Sequence, residues 1–118
     1  MVMRKKTSTN FLNEKDLVEN CGMFYTLSLI SGRWKISILA SLLDNEVLRY
    51  SEIKRKLNNI TERMLIKQLK ELQEDGLIVR KNYMEVPPKV EYSISKKGRS
   101  LEDVLTELQH WGKKHKDV

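Results

Sequence analysis

The stretch from Thr61 to Asp75 most constrains what this chain can fold into. Its leucines and its cations separate cleanly when successive residues are placed about 100° apart on a helix. Counting from Arg63, Lys67 falls at about 40° and Lys70 at about −20°, whereas Leu65, Leu69 and Leu72 fall at about 200°, 240° and 180°. Burying those leucines contributes roughly 1.5 to 3 kcal/mol each, so the helix must dock on a core with its cations facing outward. The flanking sequence fixes what surrounds it. A shorter helical pattern, Ser51 to Leu57, precedes it across the break Asn58-Asn59, and Asp75-Gly76 stops it. Two apolar-alternating runs come next, Leu77 to Met84 and Val90 to Ile94, separated by Val86-Pro87-Pro88-Lys89. In the second run Val90, Tyr92 and Ile94 alternate with Glu91 and Ser93, which predicts one packed and one wet face. Prolines cannot donate to a ladder, so Pro87-Pro88 belongs at the tip. Helix, turn, helix and a two-stranded antiparallel hairpin is the order of a winged helix-turn-helix, a mainly α fold whose second helix can enter the DNA major groove.

Charge points the same way. Between Arg49 and Arg99 there are 13 Lys and Arg against 7 Asp and Glu, while the rest of the chain has 9 of each. The whole net charge of +6 therefore lies in one segment. Such a surface attracts a polyanion through counterion release and steering. The expected contacts to double-stranded DNA are Arg49 and Ser51 at the short helix, with Ser51 as its N-cap. On the reading helix they are Thr61 as N-cap, Arg63, Met64, Ile66, Lys67 and Lys70, and on the wing Arg80, Lys81 and Lys89. A merely solvated face would show the same amphipathic helix, but would not concentrate the charge. A winged helix used for protein contacts would expect an apolar or mixed face where Arg63, Lys67 and Lys70 stand.

A chain of 118 residues with 40% hydrophobic and 32% charged residues reads as a soluble globular protein with a single modest core. Residues 1–13 are polar and basic (Arg4, Lys5, Lys6) and are expected to form a flexible tail, with residues 14–118 as one domain. No run reaches the length of a membrane span and the first residues lack a signal peptide's apolar core, so a cytoplasmic location is expected. One cysteine cannot close an intrachain disulfide, which suits a reducing compartment. The two histidines, His110 and His115, stand without a nearby cysteine or paired carboxylates. No metal site, cofactor or enzymatic acid–base pair is suggested, and no glycine-rich phosphate loop is present.

The remaining elements supply the core and a seam. A helical region from about 14 to 30 carries Cys21, Phe24, Leu27 and Ile30 on or beside one stripe, with Gly22 marking a candidate start. From Arg33 to about Leu43 hardly any polar face remains, which predicts a buried central strut. Leu48, Tyr50, Ile53 and Leu57 are expected to form the inner side of the short helix. After Ser95, a helix over about 96–116 presents Leu101, Val104, Leu105, Leu108 and Trp111 at intervals of three and four. That stripe, with Phe24 and Leu27, is expected to form a homodimer seam, because two-fold readers gain affinity from a second half-site and Trp111 has the character of an interface anchor. The alternative is that the helix folds back on its own core.

These residues resemble the HxlR-type winged helix regulators of bacteria from Cys21 to Gly112. The likeness rests on Ile30-Ser31-Gly32-Arg33-Trp34, Arg49-Tyr50-Ser51-Glu52-Ile53, Ile60-Thr61-Glu62-Arg63-Met64-Leu65, Gln68-Leu69-Lys70-Glu71-Leu72 and Asp75-Gly76-Leu77-Ile78. It continues through Gly98, and most specifically through Val86-Pro87-Pro88-Lys89-Val90-Glu91-Tyr92-Ser93-Ile94. The resemblance implies a DNA-binding transcription regulator, homodimeric through its terminal helices, and in several members the cysteine senses oxidants or electrophiles. Two positions depart from the pattern: Gly22 replaces the usual proline after Cys21, and Ile66 replaces a hydroxyl residue. Ile66 flanks the basic stripe, where it suits a thymine methyl rather than a hydroxyl contact. Cysteine is often a buried space-filler, so Cys21 has a structural reading beside the sensor reading.

Overall fold

The structure, a computed structural model, describes residues 15, 16 and 19–117, and the expected tail at 1–13 lies outside them. The chain divides between Ser31 and Gly32 into two compact units. In the first, residues 15, 16, 19 and 20 are helical, and helix α1 spans Gly22–Ile30. The single helix expected over 14–30 is therefore broken. Cys21 takes an extended conformation (φ −118°, ψ 112°) at the N-cap of α1, so Gly22 does mark a helix start.

The second unit runs α2 (Arg33–Asp44), β1 (Val47–Arg49), α3 (Tyr50–Lys56), α4 (Glu62–Glu74), β2 (Ile78–Asn82), β3 (Val90–Ile94), α5 (Lys96–Arg99) and α6 (Glu102–His115). Its core joins Ile38, Leu39 and Leu42 of α2 to Ile53 of α3, to Leu65, Leu69 and Leu72 of α4, and to Leu48, Leu77, Ile78 and Tyr92 of the sheet region. Burial of α2 is one-sided, contrary to expectation. Ile36 and Ala40 remain exposed, and with Leu43 they line a shallow groove shared with Leu105, Thr106 and Gln109 of α6. A helix can be apolar all round and still keep one side open when its neighbour covers it only in part.

The expected hairpin is present and gains a third strand, in the order β1-β3-β2. β2 and β3 pair antiparallel from Ile78 opposite Ile94 to Asn82 opposite Val90, and Tyr83 N–H closes the hairpin on the Lys89 carbonyl at 3.0 Å. β1 joins β3 on its other edge with Leu48 opposite Tyr92. Leu48 thus belongs to a strand and not to the short helix. Because the strand holds the chain extended through Arg49, α3 opens at Tyr50, and Ser51 is an exposed residue of its first turn rather than its N-cap. The orphan N–H at Arg49 is satisfied instead by Glu52 Oε1 at 2.7 Å.

Two glycines shape the chain beyond α4. Gly76, at φ 76°, ends the helix in the left-handed region, and Leu77 N–H returns to the Leu72 carbonyl at 2.9 Å. Ser95 then donates its hydroxyl to the Gly76 carbonyl at 2.6 Å and accepts the Gly98 N–H at 2.9 Å, so the expected cap of the terminal region also ties it to this turn. The helix anticipated over 96–116 is two helices, α5 and α6, because the chain turns at Ser100 and Leu101.

Candidate nucleic-acid interface

Thr61 sets the start of α4: its Oγ1 accepts the Met64 N–H at 3.1 Å. From that cap the helical period buries Leu65, Leu69 and Leu72 completely or nearly so, and it leaves Arg63, Ile66, Lys67 and Lys70 exposed. Ile66 stands 58% exposed among the cations. Met64 is half-buried, with Gln68 Nε2 3.3 Å from its sulfur. Glu71, on the same helix, turns toward α2, where Lys35 Nζ meets its Oε1 at 2.8 Å. That hydrogen bond holds the Glu71 carboxyl below its usual range, against the opposing effect of burial and with help from the charges of Lys35 and Lys67. Among the described residues, Arg63, Lys67, Lys70, Arg80 and Lys81 enter no ion pair.

Strand register places the wing's cations on two sides. Arg80 lies opposite Tyr92, and Lys81 opposite Glu91. Since neighbouring residues of a strand face opposite sides, Arg80 shares the side of buried Tyr92 and Lys81 the outer side. Arg80 borders a cleft of about 540 Å³ with Arg49, Tyr50, Ser51, Ile66, Pro88, Lys89, Val90 and Tyr92. The first turn of α3, the reading helix and the wing thus converge, bringing together Arg49, Ser51, Ile66, Arg80 and Lys89 of the residues expected from sequence. Tyr50, expected only on the inner side of the short helix, lines this cleft. Its phenol is raised above its ordinary value by burial, then by the nearby Glu62 carboxylate and Tyr92. Lys89 is only half-exposed, with its Nζ 3.7 Å from Glu91 Oε2.

The residues expected at a seam divide as well. Leu101 is buried in its own unit and Leu105 is half-buried beside α2, whereas Val104 (42% exposed), Leu108 (49%) and Trp111 (66%) stand open along α6. On Trp111 the His115 ring is stacked, centroids 4.3 Å apart. In the first unit Phe24 is half-buried and Leu27 exposed. Cys21 is half-buried beside a shallow hollow formed with Glu19, Asn20, Gly22 and Tyr25.

The model of the HxlR-like helix-turn-helix family matches residues 29–118, which include every element of the second unit. The chain belongs to this family. A Fusobacterium mortiferum protein named as a regulatory protein, MalR, is 50% identical over 95 residues, covering 80% of this chain and 90% of that protein. The crystal structure of ytcD, described as an HTH-type transcriptional regulator, superimposes with a TM-score of 0.77 at 47% identity, over 82% of this chain and 98% of that one. The redox regulator HypR in its oxidized form gives a TM-score of 0.74 at 41% identity, covering 83% and 100%; its reduced form gives 0.76 at 40%. The fold is accordingly the winged helix of HxlR-type regulators, and the protein is a transcriptional regulator of that type rather than an enzyme. Among the described residues no helix is long and apolar enough to cross a membrane.

Proposed function

We propose that this HxlR-type regulator binds a two-fold symmetric DNA operator as a homodimer, laying α4 in the major groove and the β2–β3 wing along the adjacent backbone. The observation that carries the reading is the division of α4. Its leucine face is spent on the core while Arg63, Lys67 and Lys70 are exposed and unpaired beside the wing's cations. On this reading Arg63, in the first turn of α4, contacts a base edge, and Lys67 and Lys70 meet phosphates. Selection from a random duplex pool should enrich a symmetric sequence with half-sites about one helical turn apart. Arg63→Ala should relax preference at one position per half-site and cost roughly 1 to 3 kcal/mol, whereas Lys67→Ala should weaken all duplexes alike and lower the salt slope by about 1. Unchanged binding in the Arg63→Ala, Lys67→Ala double variant would sink the proposal, and a pool with no enrichment would favour a protein-contact role for the winged helix.

Cys21 supports a redox response in this dimer. Its thiol is partly exposed at the N-cap of α1, and HypR, similar over most of this chain, is named a redox regulator. With one cysteine per chain the chemistry is a disulfide between two protomers, which loses two protons and two electrons to an oxidant such as a hydroperoxide, or a mixed disulfide with a small thiol. Oxidation should change operator affinity reversibly, and Cys21→Ser should abolish that change while leaving reduced binding intact. A serine variant that still responds to oxidant makes Cys21 structural.

A further inference from the structure

The hairpin register gathers four side chains on the outer face of the wing. Tyr83 follows the last residue of β2, two positions after Lys81, and its N–H continues the pairing to the Lys89 carbonyl; Glu91 lies opposite Lys81. The structure joins all four through one ring. Lys81 Nζ sits 4.6 Å and Lys89 Nζ 4.5 Å from the Tyr83 ring centroid, and the Tyr83 hydroxyl donates to Glu91 Oε1 at 2.5 Å. Glu91 also meets Lys89, at 3.7 Å. Tyr83 is half-buried, although it stands at the mouth of an exposed turn.

Lysine is a flexible cation, and ordering it on a phosphate costs side-chain entropy. An aromatic face that already holds the ammonium removes part of that cost. The ammonium has three N–H donors, so it can lie over a ring and still hydrogen-bond a phosphate. We infer that Tyr83 is a positioning residue for DNA binding: its ring fixes the Lys81 and Lys89 ammonium groups, and its hydroxyl anchors the cluster on Glu91, so that the wing meets the phosphate backbone with its two cations already in place. This rests on the DNA-binding reading of the wing. Tyr83 itself carries no charge, which separates its effect on the salt slope from that of the lysines.

The test measures affinity for one selected and one unrelated duplex across a range of salt, with thermal unfolding alongside. Tyr83→Leu should weaken both duplexes about five- to tenfold, the size expected when two lysine side chains must be ordered on binding rather than before it, and leave the salt slope as it is. Lys81→Gln and Lys89→Gln should each lower the slope by about 1. Tyr83→Phe keeps the ring and loses the anchor on Glu91, so its affinity should fall between wild type and Tyr83→Leu; a phenylalanine variant as weak as Tyr83→Leu would overturn the part assigned to the ring. The deciding comparison is Tyr83→Leu placed in the Lys81→Gln, Lys89→Gln background, where it should cost nothing further in affinity. If it costs as much there as in the wild type, Tyr83 acts through the fold and not through the lysines, and the inference is overturned while DNA binding stands. If the wild type binds neither duplex, the DNA reading and this inference fall together.

Discussion

Gly98 shows how much a single residue can be fixed by contacts the chain makes elsewhere. Ser95 caps the helical turn that contains it, and this turn lies on the backbone just after α4, so a Cβ at Gly98 would collide with the Leu77 carbonyl oxygen and with the Ile94 side chain. Neither neighbour is free to yield: Leu77 is fully buried and its carbonyl accepts the Ser95 N–H at 3.0 Å, and Ile94 is held in the sheet. Gly98→Ala should therefore lower the stability of the protein by about 1 to 3 kcal/mol, read as a lower urea midpoint with an unchanged slope. A midpoint equal to that of the wild type would mean that the turn can shift. Sequence alone gives no physical reason for this glycine, because the obstacle is a carbonyl about twenty residues away in the chain. Thr61, by contrast, is legible at once, since its cap is a bond within one helical turn.

The same division between local and distant causes runs through the elements. α4 could be read from end to end because its cap, its leucine stripe and its glycine stop all act within it. β1 could not. Three residues show no alternation, and their partner strand lies some forty residues on; it is this pairing that takes Leu48 out of the short helix and sets the start of α3 at Tyr50. The candidate site was legible where it depends on the phase of α4 or of a strand, as for Lys67 and Lys81. It was not where side chains from separate elements meet, as at Tyr50 and Tyr83. The Lys35–Glu71 bond is another such meeting, linking α2 to the reading helix. Glu71 is held below its ordinary 4.5 in the fold, chiefly by that hydrogen bond. Its contribution is therefore fully present above the unfolded value and is lost as pH falls through the lower, folded one. The carboxylate is partly open to solvent, so the effect belongs to the range of about 0.2 to 1 kcal/mol. Glu71→Gln should be less stable than wild type at pH 7, with the difference closing as both are titrated into acid. A difference that persists at low pH would assign the loss to packing rather than to charge.

At the scale of the molecule the question is what α6 is for. Its start is taken up by its own unit, through the buried N-cap residue Leu101 and half-buried Leu105, but Val104, Leu108 and Trp111 continue the stripe into solvent. Spacings of four and three put these three on one face, and the polar residues between them face elsewhere. An apolar face of this kind is stable in water only at a cost, and packing it against the same face of a second copy gives a self-complementary, two-fold contact. Two-fold symmetry also supplies the second reading helix that a symmetric operator requires. Leu108→Asp tests this whole arrangement, because it changes neither the core nor the cationic face of α4. A carboxylate in the seam would have to be buried unpaired, which costs far more than the lost methyl groups. The variant should sediment as a monomer at micromolar concentration, keep the wild-type unfolding profile of the isolated chain, and bind a half-site as weakly as a full operator. Binding of the full operator at wild-type strength by a monomeric variant would show that one copy suffices; a wild-type protein that is itself a monomer at that concentration would remove the seam from the proposal altogether.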